Sequence, residues 1–107
     1  MQRFGTVTRV RPELRTRYLE LHRHVPAAVE AALTRANIRN YTIFVHGDLL
    51  FGYYEYIGAS HAGDVAQIAA DEATQVWWTS TDPCQEQLPG ATADSMWSPM
   101  TEAWHLD

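Results

Sequence analysis

A histidine and a tyrosine one helical turn apart are the side chains here that could transfer a proton. Between residues 13 and 35 apolar residues recur at steps of three and four, typical of a helix with one buried face: Leu14, Tyr18, Leu21, Val25, Val29 and Ala32. His22 lies on that face, one turn after Tyr18. Pro26 has no N–H to offer the carbonyl of His22, so we expect the helix to bend there. This is a candidate proton-transfer site, although spacing alone favours a hydrogen-bonded core histidine.

The pair Trp77-Trp78 could bind a sugar ring. Adjacent residues of a helix point about 100° apart, so one indole can enter the core while the other lines a cavity. An indole offers a flat apolar face and an N–H donor, which suit the C–H face and a hydroxyl of a sugar. The alternative, that both rings simply fill the core, fits the sequence equally well.

The sequence gives little support for metal or covalent chemistry. His22 and His24 are two residues apart on a helix and point to nearly opposite sides, so they do not share an ion. The other three histidines fall in separate elements, without an acidic cluster of ligand spacing. Cys84 is the only cysteine, which excludes an internal disulfide. There is no glycine-rich phosphate loop and no Gly-x-Ser-x-Gly motif. We therefore expect no metal and no cofactor.

Length and charge indicate one small soluble domain. A chain of 107 residues is long enough for one core, so we expect a single domain over residues 1–107. Its 13 acidic residues outnumber 8 basic ones, and the net charge of −5 makes nucleic acid an unfavourable partner. The apolar runs are too short to span a membrane, and the first residues lack the apolar core of a signal peptide. These features predict a cytoplasmic protein without a membrane partner.

The elements that must position these side chains form a strand–helix–strand–strand–helix–strand order. We expect strands at 2–10, 38–46, 49–57 and 101–106, helices at 13–35 and 61–79, and a loop at 83–99. Gly47 and Asp48 suit a hairpin turn, and Ser60 suits the cap of the second helix. We expect that helix to turn four apolar side chains inward: Val65, Ile68, Ala69 and Val76. This order predicts an α+β, ferredoxin-like βαββαβ fold with both helices on one face of an antiparallel sheet.

The other face of the sheet also carries apolar residues. The second and third strands place large apolar or aromatic side chains on both faces, whereas a sheet with water on one side usually alternates. A second copy of the chain is the simplest cover. We therefore predict a homodimer in which the two sheets face each other.

Short motifs occur in one order along almost the whole chain. They are Tyr18-x-x-x-His22, Asn40-Tyr41, Leu49-Leu50-Phe51 with Glu55, Trp77-Trp78, and the closing Glu102-Ala103-Trp104-His105-Leu106-Asp107. Together they resemble the L-rhamnose mutarotase family, which also has members that act on L-fucose. Unlike family members, which usually carry Trp-Pro four and five residues after the histidine, this chain has Pro26 without a preceding tryptophan.

The resemblance implies a dimeric ferredoxin-like α+β barrel without a cofactor. It further implies that His22 is the proton donor and that four side chains contact the sugar: Tyr18, Tyr41, Trp77 and Trp78. The reaction implied is the interconversion of the α and β anomers of a deoxy-aldose such as L-rhamnose or L-fucose. Ring opening needs a proton on the ring oxygen and loss of one from the anomeric hydroxyl, which a positioned acid and base can supply. A histidine suits the acid, whereas His105 and a water are both open as the base.

Two other functions are compatible with the predicted fold. Dimeric α+β barrels include small monooxygenases and haem-binding proteins, in which a helix histidine can ligate iron. A non-catalytic sugar-binding module would keep the tryptophans and would not need His22.

Overall fold

The computed structural model describes residues 1–92 and 95–107. Among these residues, five strands form one antiparallel sheet: β1 (Gln2–Val10), β2 (Ile38–His46), β3 (Leu49–Tyr56), β4 (Gln85–Glu86) and β5 (Ser98–Met100). Four α-helices are present in the same residues: α1 (Arg15–Leu21), α2 (Ala27–Arg35), α3 (His61–Ala70) and α4 (Glu72–Thr81). The strand order is β2-β3-β1-β4, and β5 pairs with the same edge of β1 as β4. The predicted ferredoxin-like α+β fold is confirmed, with its fourth strand in two pieces.

One face of the sheet packs against the helices. Thr8 of β1 and Leu50 of β3 are cross-strand partners, and both side chains are 0% exposed. Alternation along the strands places the buried Val10 and Tyr56 on this same face. The larger core cluster joins β1 and β3 to α1 and to the turn after α4 through four buried residues: Val10, Tyr18, Leu50 and Cys84. We call this the pocket side of the molecule, because Tyr18, His22 and Trp77 lie on it.

A β-bulge interrupts β2 at Asn40 and Tyr41. Arg39 pairs with Glu55 and Thr42 pairs with Tyr53, so two residues of β2 oppose the single Tyr54. Asn40 has a positive φ of 51°, and its side-chain amide donates to Glu55 Oε1 at 2.7 Å. The extra residue changes which positions face the helices. Ile38 before it and Ile43 and Val45 after it all pack into the core.

The predicted helix over residues 13–35 is interrupted rather than bent. A 3₁₀ turn at Pro12–Leu14 leads into α1, and a second 3₁₀ turn at His22–His24 follows it. Val25 then takes an extended conformation with ψ 129°, because the ring of Pro26 disfavours helical geometry in the residue before it. The carbonyl of Pro26 accepts from Val29 N at 3.0 Å, which starts α2. His22 therefore lies in a turn between two helices.

The predicted helix over residues 61–79 is also two helices. Ser60 caps α3 as expected, since its hydroxyl accepts from Gly63 N. Asp71 then caps α4, with its carboxylate accepting from Thr74 N at 2.9 Å and Thr74 Oγ1 at 2.8 Å. This second cap starts a new helix, so the pattern of one continuous helix no longer determines which side chains of α4 face inward. Of the side chains expected inward, only Ile68 is partly buried, whereas three are exposed: Val65, Ala69 and Val76.

The predicted strand at 101–106 is wrong, and the fourth-strand position is filled by β4 and β5. The buried Thr8 hydroxyl lies 3.2 Å from the carbonyl oxygen of Glu86 and 2.8 Å from that of Met96, tying both segments to β1. Trp97, the residue before β5, packs in the core beside Gly52. This contact holds β5 in place along β1. The residues after Met100 are exposed and form no strand. Within the predicted loop at 83–99, positions 93 and 94 lie outside the described residues.

Candidate active site

Tyr18, His22 and Trp77 form one contact group on the pocket side. The Tyr18 ring, only 2% exposed, tilts against the His22 imidazole with ring centroids 4.3 Å apart. Trp77 of α4 presents a T-shaped contact to the same imidazole at 5.2 Å. The imidazole is half-buried between α1 and α4, whereas His24 in the same 3₁₀ turn is exposed. The turn created by Pro26 thus separates two nearby histidines into different environments.

A hydrogen bond fixes the tautomer of His22. Its Nδ1 lies 2.9 Å from the carbonyl oxygen of Tyr18. A carbonyl oxygen only accepts, so Nδ1 carries a proton and donates. In the neutral ring Nε2 then holds the free lone pair, and in the imidazolium Nε2 carries the second proton. Nε2 is therefore the His22 nitrogen that is left to form a hydrogen bond with a ligand.

The Tyr18 hydroxyl reaches accessible space although the residue is almost fully buried. In the described part of the chain, no buried side-chain nitrogen or oxygen lacks a hydrogen-bond partner. The Tyr18 hydroxyl has no such partner among those residues, so the small exposed area of this side chain includes its oxygen. Burial, with a smaller contribution from Tyr41, raises the pKa of Tyr18 well above its ordinary value. The phenol stays protonated and can donate a hydrogen bond to a ligand.

The β2 bulge places Tyr41 against β3. Tyr41 opposes Tyr54, and their ring centroids are 5.4 Å apart. The residue is 42% exposed by area, and desolvation of its phenol together with Tyr54 raises the pKa of Tyr41 to about 12. An ionised Tyr41 would in turn oppose the ionisation of Tyr18. Both phenols therefore serve as donors and not as bases near neutral pH.

Trp78 lies apart from this group. It is 37% exposed. It lines an open surface hollow on the outer side of α4, together with Gln75, Thr79, Asp82 and Pro83. Burial raises the pKa of Asp82 there. The hollow contains none of the other predicted site residues, so the structure directs Trp77 to the imidazole and Trp78 outward.

Sequence reasoning missed two residues that extend the contact group. The Tyr54 hydroxyl lies 2.7 Å from His61 Nε2, and Phe4 stacks on the His61 ring at 4.0 Å. The rings make two groups of contacts, which together are here called the aromatic row: Trp77, His22 and Tyr18 in one group, and Tyr41, Tyr54 and His61 in the other. The sequence contained one signal for each of these two residues. Tyr54 shares its strand face with the buried Leu50 and Tyr56. His61 directly follows the Ser60 cap and therefore lies at the start of a helix.

The described residues contain no metal-binding cluster. Across 1–92 and 95–107, no three His, Cys, Asp or Glu side chains are grouped to hold an ion. Nor does that part of the chain include a helix of the length and apolarity needed to cross a membrane.

Comparisons with known proteins show what the chain is similar to. A family model described as L-rhamnose mutarotase matches residues 3–106. An L-rhamnose mutarotase from Formosa agariphila has a similar structure, with a TM-score of 0.79 and 17% identity over 100% of both chains. Tetracenomycin F2 cyclase from Streptomyces glaucescens, a type-II polyketide cyclase, has a TM-score of 0.68 and 12% identity over 100% of both chains. A conserved protein from Methanosarcina mazei Go1 has a TM-score of 0.58 and 15% identity, covering 80% of this chain and 82% of the other. These structural likenesses establish the fold, and no curated protein sequence matches the chain.

Proposed function

The chain belongs to the L-rhamnose mutarotase family, and from this premise we propose that it interconverts the α and β anomers of a deoxy-aldose such as L-rhamnose or L-fucose, with His22 as proton donor. The observation that carries this role is the hydrogen bond from His22 Nδ1 to the Tyr18 carbonyl. It leaves Nε2 as the one ring nitrogen that gains and loses a proton. Trp77 against the ring restricts its rotation.

The reaction proceeds through the open-chain aldehyde. His22 in its imidazolium form donates the Nε2 proton to the ring oxygen while the anomeric hydroxyl loses a proton, and the C1–O5 bond breaks. Rotation about the C1–C2 bond turns the other face of the aldehyde toward O5. Closure reverses both proton transfers and restores the imidazolium. Neither a metal nor a covalent intermediate is needed, because the uncatalysed reaction already occurs in water.

The phenols and indoles are proposed to hold the sugar. Tyr18 and Tyr41 remain protonated, so each can donate a hydrogen bond to a sugar oxygen. Trp77 lies beside His22, where its indole would cover a C–H face of the ring. The family resemblance assigns a sugar contact to Trp78 as well. Trp78 faces the outer side of α4, so its contact would involve a part of the sugar remote from His22.

Anomer exchange measured by NMR saturation transfer tests the role of His22. One anomeric proton signal of L-rhamnose is saturated, and the loss of intensity in the other gives the exchange rate. We expect His22→Gln to lose a factor of about 10²–10⁴, which returns exchange to the uncatalysed rate. His24→Gln is the matched control, because His24 lies in the same turn but is exposed.

Each outcome of this experiment decides the proposal. A folded His22→Gln protein that exchanges anomers at the wild-type rate would contradict the assignment. Wild-type protein that binds the sugar without accelerating exchange would instead be a binding module. The same assay with L-fucose and with ordinary aldoses ranks the substrates.

We further propose that residues 1–107 act as a single domain in the cytoplasm, as a homodimer joined through the open sheet faces. The helix-free face carries exposed apolar surface, with Phe44 of β2 62% exposed. Past β5, Trp104 and Leu106 are 77% and 74% exposed. A second copy that covers this surface would bury it from water.

A further inference from the structure

Tyr54 and His61 form a second proton-exchanging pair at the end of the aromatic row opposite His22. The Tyr54 hydroxyl and His61 Nε2 are 2.7 Å apart, within hydrogen-bond distance. Tyr54 contacts Tyr41 with ring centroids 5.4 Å apart, and Tyr18 contacts His22 with centroids 4.3 Å apart. A sugar held by both Tyr18 and Tyr41, as proposed above, would therefore lie between His22 and Tyr54.

The surrounding residues hold His61 in one orientation. Phe4 stacks on its face at 4.0 Å with an interplanar angle of 10°, and Tyr56 meets it edge-on at 5.2 Å. The start of α3, where His61 lies, is anchored to β3 because the backbone N–H of Ser60 donates to the Tyr56 hydroxyl at 2.9 Å. Such fixed orientation is what a proton-transfer group requires.

A partly buried polar network anchors the same segment. The Tyr56 hydroxyl donates to Asp64 Oδ2 at 2.5 Å, and the Asn37 amide donates to the same oxygen at 3.0 Å. These two hydrogen bonds lower the pKa of Asp64, and His61 contributes further in the same direction. Asp64 therefore stays a carboxylate, and its charge can stabilise an imidazolium that forms on His61.

We propose that Tyr54 is the catalytic base of anomer exchange and that His61 acts through it as a proton acceptor. This inference rests on the proposed mutarotase function and names the base that sequence reasoning left open. His22 and the Tyr54–His61 pair would then act on the two oxygens of the same hemiacetal carbon.

The proton transfers balance over one turnover. During opening, the anomeric hydroxyl gives its proton to the Tyr54 oxygen while Tyr54 passes its own proton to His61 Nε2. His22 simultaneously gives a proton to the ring oxygen as the C1–O5 bond breaks. During closure on the other face, His61 returns its proton through Tyr54 to O1, and the ring oxygen returns its proton to His22. No charge accumulates on Tyr54, which matters because burial raises its pKa.

The pH profile of exchange separates this relay from a structural role. Activity requires a protonated His22 and a neutral His61, which predicts a bell-shaped profile. The titratable or charged side chains that the structure places around His61 are Tyr54 and Tyr56 of β3 and Asp64 of α3. The raised pKa values of the two tyrosines keep them neutral and the lowered pKa of Asp64 keeps it charged around neutral pH, so an acid-side limb that is lost in His61→Gln reports on the relay and not on these neighbours.

The experiment measures anomer exchange of L-rhamnose against pH in the full chain. Tyr54→Phe should lower the rate by about 10²-fold or more, since it removes the hydroxyl and keeps the ring contacts. His61→Gln should lower the rate and abolish the acid-side limb. Tyr53→Phe and His46→Gln are the controls, because Tyr53 lies on the opposite sheet face and His46 is exposed at the hairpin. Both controls should keep the wild-type profile.

The outcomes distinguish this inference from the function on which it rests. Wild-type protein that accelerates no sugar would overturn both. Active wild-type protein with unchanged Tyr54→Phe and His61→Gln variants would overturn the inference and leave the mutarotase function standing. A His61→Gln protein that is slower at every pH but keeps both limbs would show a structural role for His61. Tyr54→Phe still tests the base if His61→Gln does not fold.

Discussion

The hydroxyl group of Tyr18 combines deep burial of its ring with access for a ligand. Because this hydroxyl has no hydrogen-bond partner among the described residues, its removal should cost the fold little. We expect Tyr18→Phe to change the free energy of unfolding by less than about 0.5 kcal/mol. The loss of one neutral hydrogen bond to the sugar should lower kcat/KM for anomer exchange by about threefold to tenfold.

Chemical denaturation and NMR exchange together test the role of Tyr18. The reverse result, a strongly destabilised protein whose residual folded fraction exchanges anomers normally, would show that the hydroxyl supports the core and not the ligand.

The raised pKa of Tyr41 predicts a loss of stability in alkali. In the unfolded chain this phenol ionises near its ordinary value of 10.0, whereas in the folded protein it ionises at about 12. Between these two values the unfolded state binds fewer protons than the folded state, so the free energy of unfolding falls as pH rises. Tyr41→Phe should make this fall less steep. Guanidinium denaturation at a series of alkaline pH values measures the slope, and equal slopes for both proteins would contradict the burial of the Tyr41 hydroxyl.

At the scale of single elements, the β2 bulge depends on the conformation of Asn40. A residue with a β-carbon at a φ of 51° is strained by about 1 kcal/mol unless it is asparagine or aspartate. Asn40→Ala and Asn40→Gly both remove the hydrogen bond to Glu55, but only glycine relieves the backbone. We therefore expect Asn40→Gly to be the more stable of the two by about 1 kcal/mol, measured by chemical denaturation.

The same pair of variants reports on Tyr41. If the bulge directs Tyr41 toward the sugar, Asn40→Ala should raise KM more than Asn40→Gly does. An alanine variant that is more stable than the glycine variant would mean that Asn40 does not hold a positive φ.

The first three strands were predictable because their signals are local, whereas the fourth strand position was not. Alternation along β1 and β2 and the glycine at position 47 define the hairpin and both strand bounds. The helices were overextended because two breaks depend on specific contacts. Val25 becomes extended under the constraint of Pro26, and the Asp71 carboxylate captures the N–H of Thr74. The spacing of apolar residues continues through both helix breaks, so hydrophobic periodicity predicts neither break.

The site was only partly predictable for a related reason. Tyr18 and His22 lie one turn apart in the chain, so their contact follows from helix geometry alone. The contact between Tyr54 and His61 joins a strand to the start of a helix, and the placement of Tyr41 depends on the bulge. Such contacts follow from how elements pack and from one backbone angle, which hydrophobic periodicity does not encode.

At the scale of the whole molecule, the proposed homodimer depends on the open sheet face. Phe44 of β2 and Val76 of α4 are exposed to nearly the same degree, 62% and 63%, but on opposite sides of the molecule. A lysine in a sheet-to-sheet interface would place a charge in an apolar contact, which is costly. We expect Phe44→Lys to convert the dimer to a monomer in light scattering and Val76→Lys to leave the dimer intact.

Three results would argue against this interface. They are a wild-type monomer at micromolar concentration, a dimer that survives Phe44→Lys, and a dimer lost only on Val76→Lys. The last would move the interface to the helical side, which carries the candidate active site.

The extra residue in β2 also bears on how this chain could acquire a different substrate. Because two residues at the bulge oppose the single Tyr54, deletion of one codon there would leave one residue opposite Tyr54 and would keep Ile43 and Val45 facing the helices and Phe44 facing away from them. Such a deletion would remove Tyr41 or change the direction of its side chain, while the pairing of β2 with β3 stays in register. Descendants of this protein could therefore change a proposed sugar contact in one mutational step without altering the sheet face proposed for self-association.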